Sequence, residues 1–444
     1  MNSAILIKNG FVMTFGASGR VIDDGAVLIR DGRIAAVGPR AEVERKAAGL
    51  EGLKTIDARG AVVTPGLINA HMHLYSTFAC GIAAPASHNF QEILENLWWR
   101  LDKAMTLEDT RLSATVPAIR CLKAGVTTIV DHHASYGKTR GSLRVVADAC
   151  RCVGLRAAMA YEVSDRWGEA EMQDAVAENA DFLTSISGTK DDDIAALFGL
   201  HASFTLSEKT LAHCRDAAKG AGFHIHCAED RADAEAARRE GFAGAADRLH
   251  KLGILGPKTI TAHCIHVTDD EVRLLADTKT TVVTNPQSNM NNAVGVADVP
   301  KLLDAGCRVG LGSDGMTADI LREMAALIFT QRQRMQRPDA MFCEAVNALC
   351  VTNPSVASAI FGKPVGVLVE GAAGDAVVWD YVPVTPLNDG NAMGHTVFGL
   401  TTGRPRVVLM SGKVVVDDYQ VTTVNESEVA LESRALAASL WQRW

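Results

Sequence analysis

Eight short apolar runs, each closed by a polar residue and followed by a helix-like stretch, constrain this chain more than any other feature. In order they are AVVTPGLINAH, VTTIVDHH, LRAAMAYE, IAALFGLHASF, FHIHCAED, TITAHCIH, TTVVTNP and CRVGLGSDG. Between them lie segments such as LEDTRLSATVPAIRCLKAG and EKTLAHCRDAAKGAG. Alternation of this kind implies βα units and a parallel sheet. Eight units between residues 61 and 364 predict an α/β fold, the (β/α)8 TIM barrel, whose strands bring their C-terminal ends to one rim.

The two ends of the chain read differently. In AVLIRDGRIAAVG, Asp31-Gly32 separates two apolar runs as in a two-residue hairpin, and GVLVEGAAGDAVVWDY and PRVVLMSGKVVVDDY repeat the hairpin chemistry near the other terminus. Residues 1–60 and 365–444 are therefore expected to form one small composite β-sandwich domain with a C-terminal tail. The barrel of residues 61–364 interrupts it. With 444 residues the chain exceeds one ordinary core, which fits such a division.

Charge and targeting narrow the partners. A net charge of -8 disfavours nucleic acid or an anionic membrane, and the basic cluster RQRMQR reads as a solvated helix face. The opening MNSAILIKNGFVMTFGASG holds no apolar run long enough for a signal peptide or a membrane span, so a cytoplasmic location is expected. Ten scattered cysteines include no CxxC pair and are expected to be reduced, small hydrophobes.

Histidine placement points to chemistry. Side chains at i and i+2 of a strand share a side, so His71 and His73 face one way while Met72 faces the other. His201 lies in the fourth run, His224 and His226 in the fifth, and His263 and His266 in the sixth, while Asp314 closes the eighth. A barrel would carry all of these to a common rim. Convergence of so many metal-capable residues predicts a metal centre.

The motifs PGLINAHMH, HIHCAE, AHCIH, NPQSNM and GLGSDG, in this order, are similar to those of the amidohydrolase superfamily. Within it the chain resembles the metal-dependent aminohydrolase branch of guanine, cytosine and adenosine-type deaminases and triazine hydrolases. It also resembles the group known as SsnA, of poorly defined substrate. The resemblance covers nearly the whole chain. It implies one divalent metal ion, Zn2+ before Fe2+ or Mn2+, held by His71, His73, His226 and Asp314, with Glu229, His263 and Asp314 serving the chemistry. Two-metal members carry a lysine at the fourth strand end, where this chain has FGLHASFTLSEK, so one ion is favoured.

Three neutral imidazoles and a carboxylate suit such an ion and leave a position for water, whose pKa the metal lowers. Attack on an amino-bearing sp² carbon then calls for a group that moves a proton to the ring nitrogen, and Glu229, three residues beyond His226, is placed for it. His201, in LHASFTLS, resembles a substrate-contacting element of the branch, and Trp98, next to Trp99, is a further candidate for the pocket, although core packing suits that pair as well. His224 is read as an outer or core residue, His266 as peripheral and Asn289 as a loop-ordering group. His132 and His133 stay open between substrate contact and structure.

The expected activity is hydrolytic deamination of an amino-substituted N-heterocycle, purine- or pyrimidine-like, by a homodimer or larger homo-oligomer. Two alternatives stand beside it: hydrolysis of a cyclic amide or another C–N or C–Cl bond on a similar ring, and an inactive metal-binding scaffold.

Overall fold

In the computed structural model, which describes residues 4–189 and 191–444, the eight runs yield eight parallel strands. They are Leu67–Met72, Val126–His133, Arg156–Tyr161, Phe198–Ala202, Phe223–Cys227, Ile260–His263, Thr281–Thr284 and Arg308–Leu311. Parallel pairing joins the first three in order and the last five in order. Two isolated parallel bridges complete the ring, Val163 with Leu200 and Met72 with Asp314. The barrel is closed.

Small and branched side chains, including Ala70, Val130, Ala158, Ala160, Ile260 and Val283, form one buried cluster along these strands. Residues of the other parity, such as Ile129, Met159, Ile225, Val282 and Leu311, join the larger cluster shared with the helices. Burial of both faces is why these strands are apolar without alternation. The fourth run divides at Leu197: Ile194–Ala196 pairs alongside the third barrel strand, and Phe198–Ala202 is the barrel strand proper.

Both chain ends contribute to one mixed sheet of nine strands. Val62–Thr64 links the two contributions, pairing in parallel with Ala4–Met13 and antiparallel with Ala376–Trp379. The run AVVTPGLINAH thus serves two sheets, broken at Pro65-Gly66. The sheet folds over as a sandwich, since Val27 and Ile29 share a buried cluster with Val378 and Leu409 although their strands are not neighbours. The expected hairpin is present, with Asp31 at φ 51° and Gly32 at φ 76° between strands Val21–Arg30 and Arg33–Pro39. Two successive positive φ values define the turn whose twist matches paired strands.

A buried polar cluster fastens this sheet to the barrel. Arg156, at the start of the third barrel strand, meets Asp375 of the terminal sheet, Asp193 at 2.8 Å, Ser411 Oγ at 2.8 Å and Thr128 Oγ1 at 3.2 Å. The C-terminal helix Glu426–Arg443 lies instead against the barrel helix Leu107–Lys123, where Lys123 Nζ sits 2.7 Å from Glu426 Oε2. Among the described residues no helix is long and apolar enough to cross a membrane. All ten cysteines are free, and all but Cys80, Cys152 and Cys343 are buried.

Candidate metal centre and pocket

The C-terminal rim of the barrel gathers the expected ligands. His71 ends the first strand and His73 follows it, both on the inner side, while Met72 faces outward against Cys121 of the neighbouring helix. One ligand atom each from His71, His73, His226 and Asp314 lies within 4.8 Å of all the others. Nε2 of His73 is 2.8 Å from Asp314 Oδ1 and 3.1 Å from His226 Nε2, and His71 Nε2 is 3.6 Å from Asp314 Oδ1. The eighth strand approaches the first closely here. A Cβ on Gly312 would stand 2.8 Å from His71 Cβ, which explains a glycine in GLGSDG.

Each imidazole is oriented through its other nitrogen. His73 Nδ1 donates to the His132 carbonyl at 2.5 Å, His226 Nδ1 donates to the His201 carbonyl at 2.8 Å, and His71 Nδ1 meets His224 Nε2 at 2.8 Å. All three Nε2 atoms are thereby turned to one point, and outer partners of this kind fix both tautomer and ring direction at metal sites. His224 stands behind His71, in the outer place that the resemblance, not its spacing, implied. His71 Nε2 is fully buried yet has no hydrogen-bond partner among the described residues. An orphaned buried nitrogen is costly unless something else uses its lone pair.

Electrostatics agrees with a cation at this point. Burial depresses His71 to about 4 and holds His226 well below the usual imidazole range, so both are neutral and able to ligate. Burial opposes charge on Asp314, but His73 and His71 beside it hold its carboxyl well below the usual carboxylate range. Burial likewise opposes charge on His73, and Asp314 overrides it, raising the ring to about 9. The donor set is one carboxylate among imidazoles.

Glu229 and His263 stand beside this set. His263 Nε2 is 3.5 Å from Glu229 Oε2, and its Nδ1 is 2.8 Å from Asn289 Oδ1. Asn289 therefore turns His263 Nε2 toward Glu229, a more specific task than ordering its loop. Glu229 Oε1 accepts from Asn292 Nδ2 at 3.3 Å, and Asp314 Oδ2 accepts from Ser288. Burial pushes the Glu229 carboxyl up to about 7, where it exchanges a proton readily at neutral pH. Four backbone positions here carry positive φ without being glycine: Ala228 at 48°, His263 at 74°, Cys264 at 49° and Asp314 at 54°. Such conformations are held by their surroundings and cluster at functional sites.

The pocket over these groups has an empty volume of about 790 Å³ including its open mouth. His201 and Trp98 line it, as expected of substrate contacts, together with Trp99, Phe90, Leu94 and Phe204. His201 Nδ1 is tied to Thr205 Oγ1 at 2.8 Å. His132 is buried and stacks on His224 with centroids 4.5 Å apart, His133 bonds Ser135 Oγ at 2.9 Å, and His266 Nε2 reaches the Val294 carbonyl at 2.8 Å. None of these three lines the pocket.

Glu162 and Arg166 are among the lining residues that escaped the sequence reading. Glu162 follows the third strand and is buried beside His73, and Arg166 pairs with buried Asp102 across the pocket wall. The signal for Glu162 was available in LRAAMAYE, which ends in an acid where other runs end in histidine.

Comparison with known proteins follows the same lines. A 5'-deoxyadenosine deaminase of Methanosarcina mazei is 29% identical over 447 residues, covering 99% of each chain. A 5-methylthioadenosine/S-adenosylhomocysteine deaminase of Syntrophobacter fumaroxidans is 30% identical, covering 98% of each. Among solved structures, an adenosine deaminase from Xanthomonas campestris with bound zinc superposes with a TM-score of 0.85 at 20% identity, covering 99% of this chain and 98% of that one. An atrazine chlorohydrolase from Arthrobacter aurescens complexed with zinc gives 0.82 at 21% identity, covering 98% and 100%. Residues 62–415 match the Amidohydrolase family, and the chain belongs to that family.

Proposed function

We propose that the protein is a metal-dependent aminohydrolase that releases ammonia from an amino-substituted nitrogen heterocycle, with adenine-like nucleosides the first class to test. The observation that carries this reading is the convergence of three imidazole Nε2 atoms, each anchored through Nδ1, on the Asp314 carboxylate. The deaminase names of full-length relatives point the same way.

His71, His73, His226 and Asp314 would hold one divalent ion, zinc before iron or manganese. When bound, such an ion supplies a Lewis acid and a water that is nucleophilic at neutral pH. A single ion is favoured because His201, not a lysine, lies at the fourth strand end.

The remaining chemistry falls to the chain's own groups. Glu229 would take a proton from the attacking water and deliver it to the ring nitrogen next to the amino-bearing carbon, a transfer suited to a carboxyl poised near neutrality. With Nδ1 bound to Asn289, His263 presents Nε2 to Glu229 and Asp314 and would steer that water. Asp314, held by Ser288, would receive the second proton and pass it to the departing amino group. The apolar walls from Trp98, Trp99 and Phe204 would stack against the heterocycle and exclude bulk water.

The test is direct. Zinc-loaded protein is incubated with 5'-deoxyadenosine, methylthioadenosine, adenosine, guanine and cytosine, and ammonia and bound metal are measured together. One equivalent of ammonia per product, lost on chelation and restored by zinc, is expected. Consumption of a cyclic amide or a chlorinated triazine without ammonia from any of these compounds would overturn the reading.

A further inference from the structure

Glu162 is a buried carboxylate with nothing to bind. It is 2% exposed, and its Oε1 has no hydrogen-bond partner among the described residues. The nearest cationic candidate is His73 Nδ1 at 3.4 Å, but that nitrogen already donates to the His132 carbonyl at 2.5 Å. His132 Nδ1 lies 3.6 Å away, and Glu162 Oε2 is 3.9 Å from His201 Nε2. None of these contacts is a hydrogen bond.

Among the described residues no side chain of the pocket hydrogen-bonds Glu162 in return. Arg166 is the one lysine or arginine among the described residues that line the pocket; it pairs through Nη2 with Asp102, its Nε and Nη1 are buried without hydrogen-bond partners, and it forms no salt bridge with Glu162. A carboxylate taken from water and left without donors is strongly disfavoured unless some partner supplies them. Glu162 also lies within ligand distance of His73, His132 and His226, a grouping that could itself take an ion, and a ligand in the open pocket is the other partner within reach.

We propose that Glu162 is a specificity residue, whose carboxylate accepts hydrogen bonds from N–H or O–H donors that the heterocycle presents toward the third and fourth strand ends. His201, 3.9 Å from it, completes that side of the pocket. A substrate with ring N–H or hydroxyl donors is thereby selected over one that has none, and an anionic substituent at that edge is rejected. The inference rests on the aminohydrolase reading and adds the substrate's polarity to it. Outer support of His73 is the competing role for Glu162, and the carbonyl already bound to Nδ1 argues against it.

The experiment compares four adenine compounds on the zinc-loaded protein and on Glu162→Gln. Adenine offers a ring N–H, adenosine offers hydroxyls, 9-methyladenine offers neither, and adenosine monophosphate adds an anion. The ratio of kcat/KM values is the readout, with zinc per chain measured in parallel. Intact protein should favour adenine, adenosine or both over 9-methyladenine by about 10-fold to 100-fold and should discriminate against the monophosphate. Whichever donor is favoured identifies whether the ring or the sugar meets Glu162. In Glu162→Gln the preference should shrink and the monophosphate be better tolerated, at the same zinc content.

Preference unchanged in the variant overturns the proposal, and so does an equal loss on all four compounds accompanied by weaker zinc binding, which would make Glu162 a support for His73. Should Glu162→Gln fail to fold, the intact protein decides, and equal turnover of adenine, adenosine and 9-methyladenine overturns the proposal. If none of the four releases ammonia, the deaminase reading for adenine compounds fails on its own. Glu162 is then judged by calorimetric binding of the same probes, where donor-independent or absent binding rejects it.

Discussion

The buried polar cluster at the joint between barrel and terminal sheet differs from the one at the rim in how completely it is paired. Around Arg156, where the barrel meets the terminal sheet, the guanidinium is matched by Asp375, Asp193, Ser411 and Thr128. At the opposite end of the strands, His71 Nε2, His263 Nε2 and Glu162 Oε1 are buried without hydrogen-bond partners. Equal burial therefore carries opposite meanings. Closed pairing marks a joint that holds two parts of the fold together, whereas open valence marks a place prepared for a ligand.

The contrast can be broken at either cluster. The largest effect is expected at the rim: Asp314→Asn should lose bound zinc and all measurable ammonia release while the folded state persists, as checked by metal analysis and circular dichroism. Next, Glu229→Gln should lower kcat by about 10²-fold to 10⁴-fold with zinc retained, the range for loss of a general acid and base. Near-normal turnover in that variant would remove the proton-transfer role.

At the joint the sign of the readout changes. Asp375→Ala leaves the Arg156 guanidinium buried without its main partner and should cost about 3–5 kcal/mol of stability by denaturant titration, with kcat per folded molecule preserved. The smallest change expected is Asn289→Ala, which frees His263 Nδ1 and should reduce kcat about tenfold, at unchanged zinc content. Were Asn289→Ala to release the metal instead, the separation between ligand-holding and water-steering groups would be wrong.

Much of the rim was legible from the amino acids because strand geometry is strict. A period of two puts His71 and His73 on one side, and eight similar runs place Asp314 within reach of them across most of the chain. The family motifs then separated His226 from His224, which spacing alone could not do. Other features depend on distances that no local pattern encodes. Pairing of Arg166 with Asp102, 64 positions apart, is one such feature. Val62–Thr64 looked continuous with the first barrel strand because its apolar character suits either sheet, and only Pro65-Gly66 hinted at the break. The hold of Asn289 on His263 likewise required the seventh-strand loop to be seen against the sixth strand.

The barrel's last seam has a consequence for how the protein matures. First and eighth strands are sewn together at the rim itself, through Ser313 N to the His71 carbonyl at 2.8 Å, Asp314 N to the same carbonyl at 3.0 Å, and Asn69 to Ser313 across 244 positions of sequence. His71 and Asp314 thus become neighbours only when the two extremes of the cylinder meet. The proposed ion-binding set is incomplete in a newly made chain until that junction forms, so zinc uptake should trail the appearance of secondary structure and, once complete, act as a rivet that slows reopening.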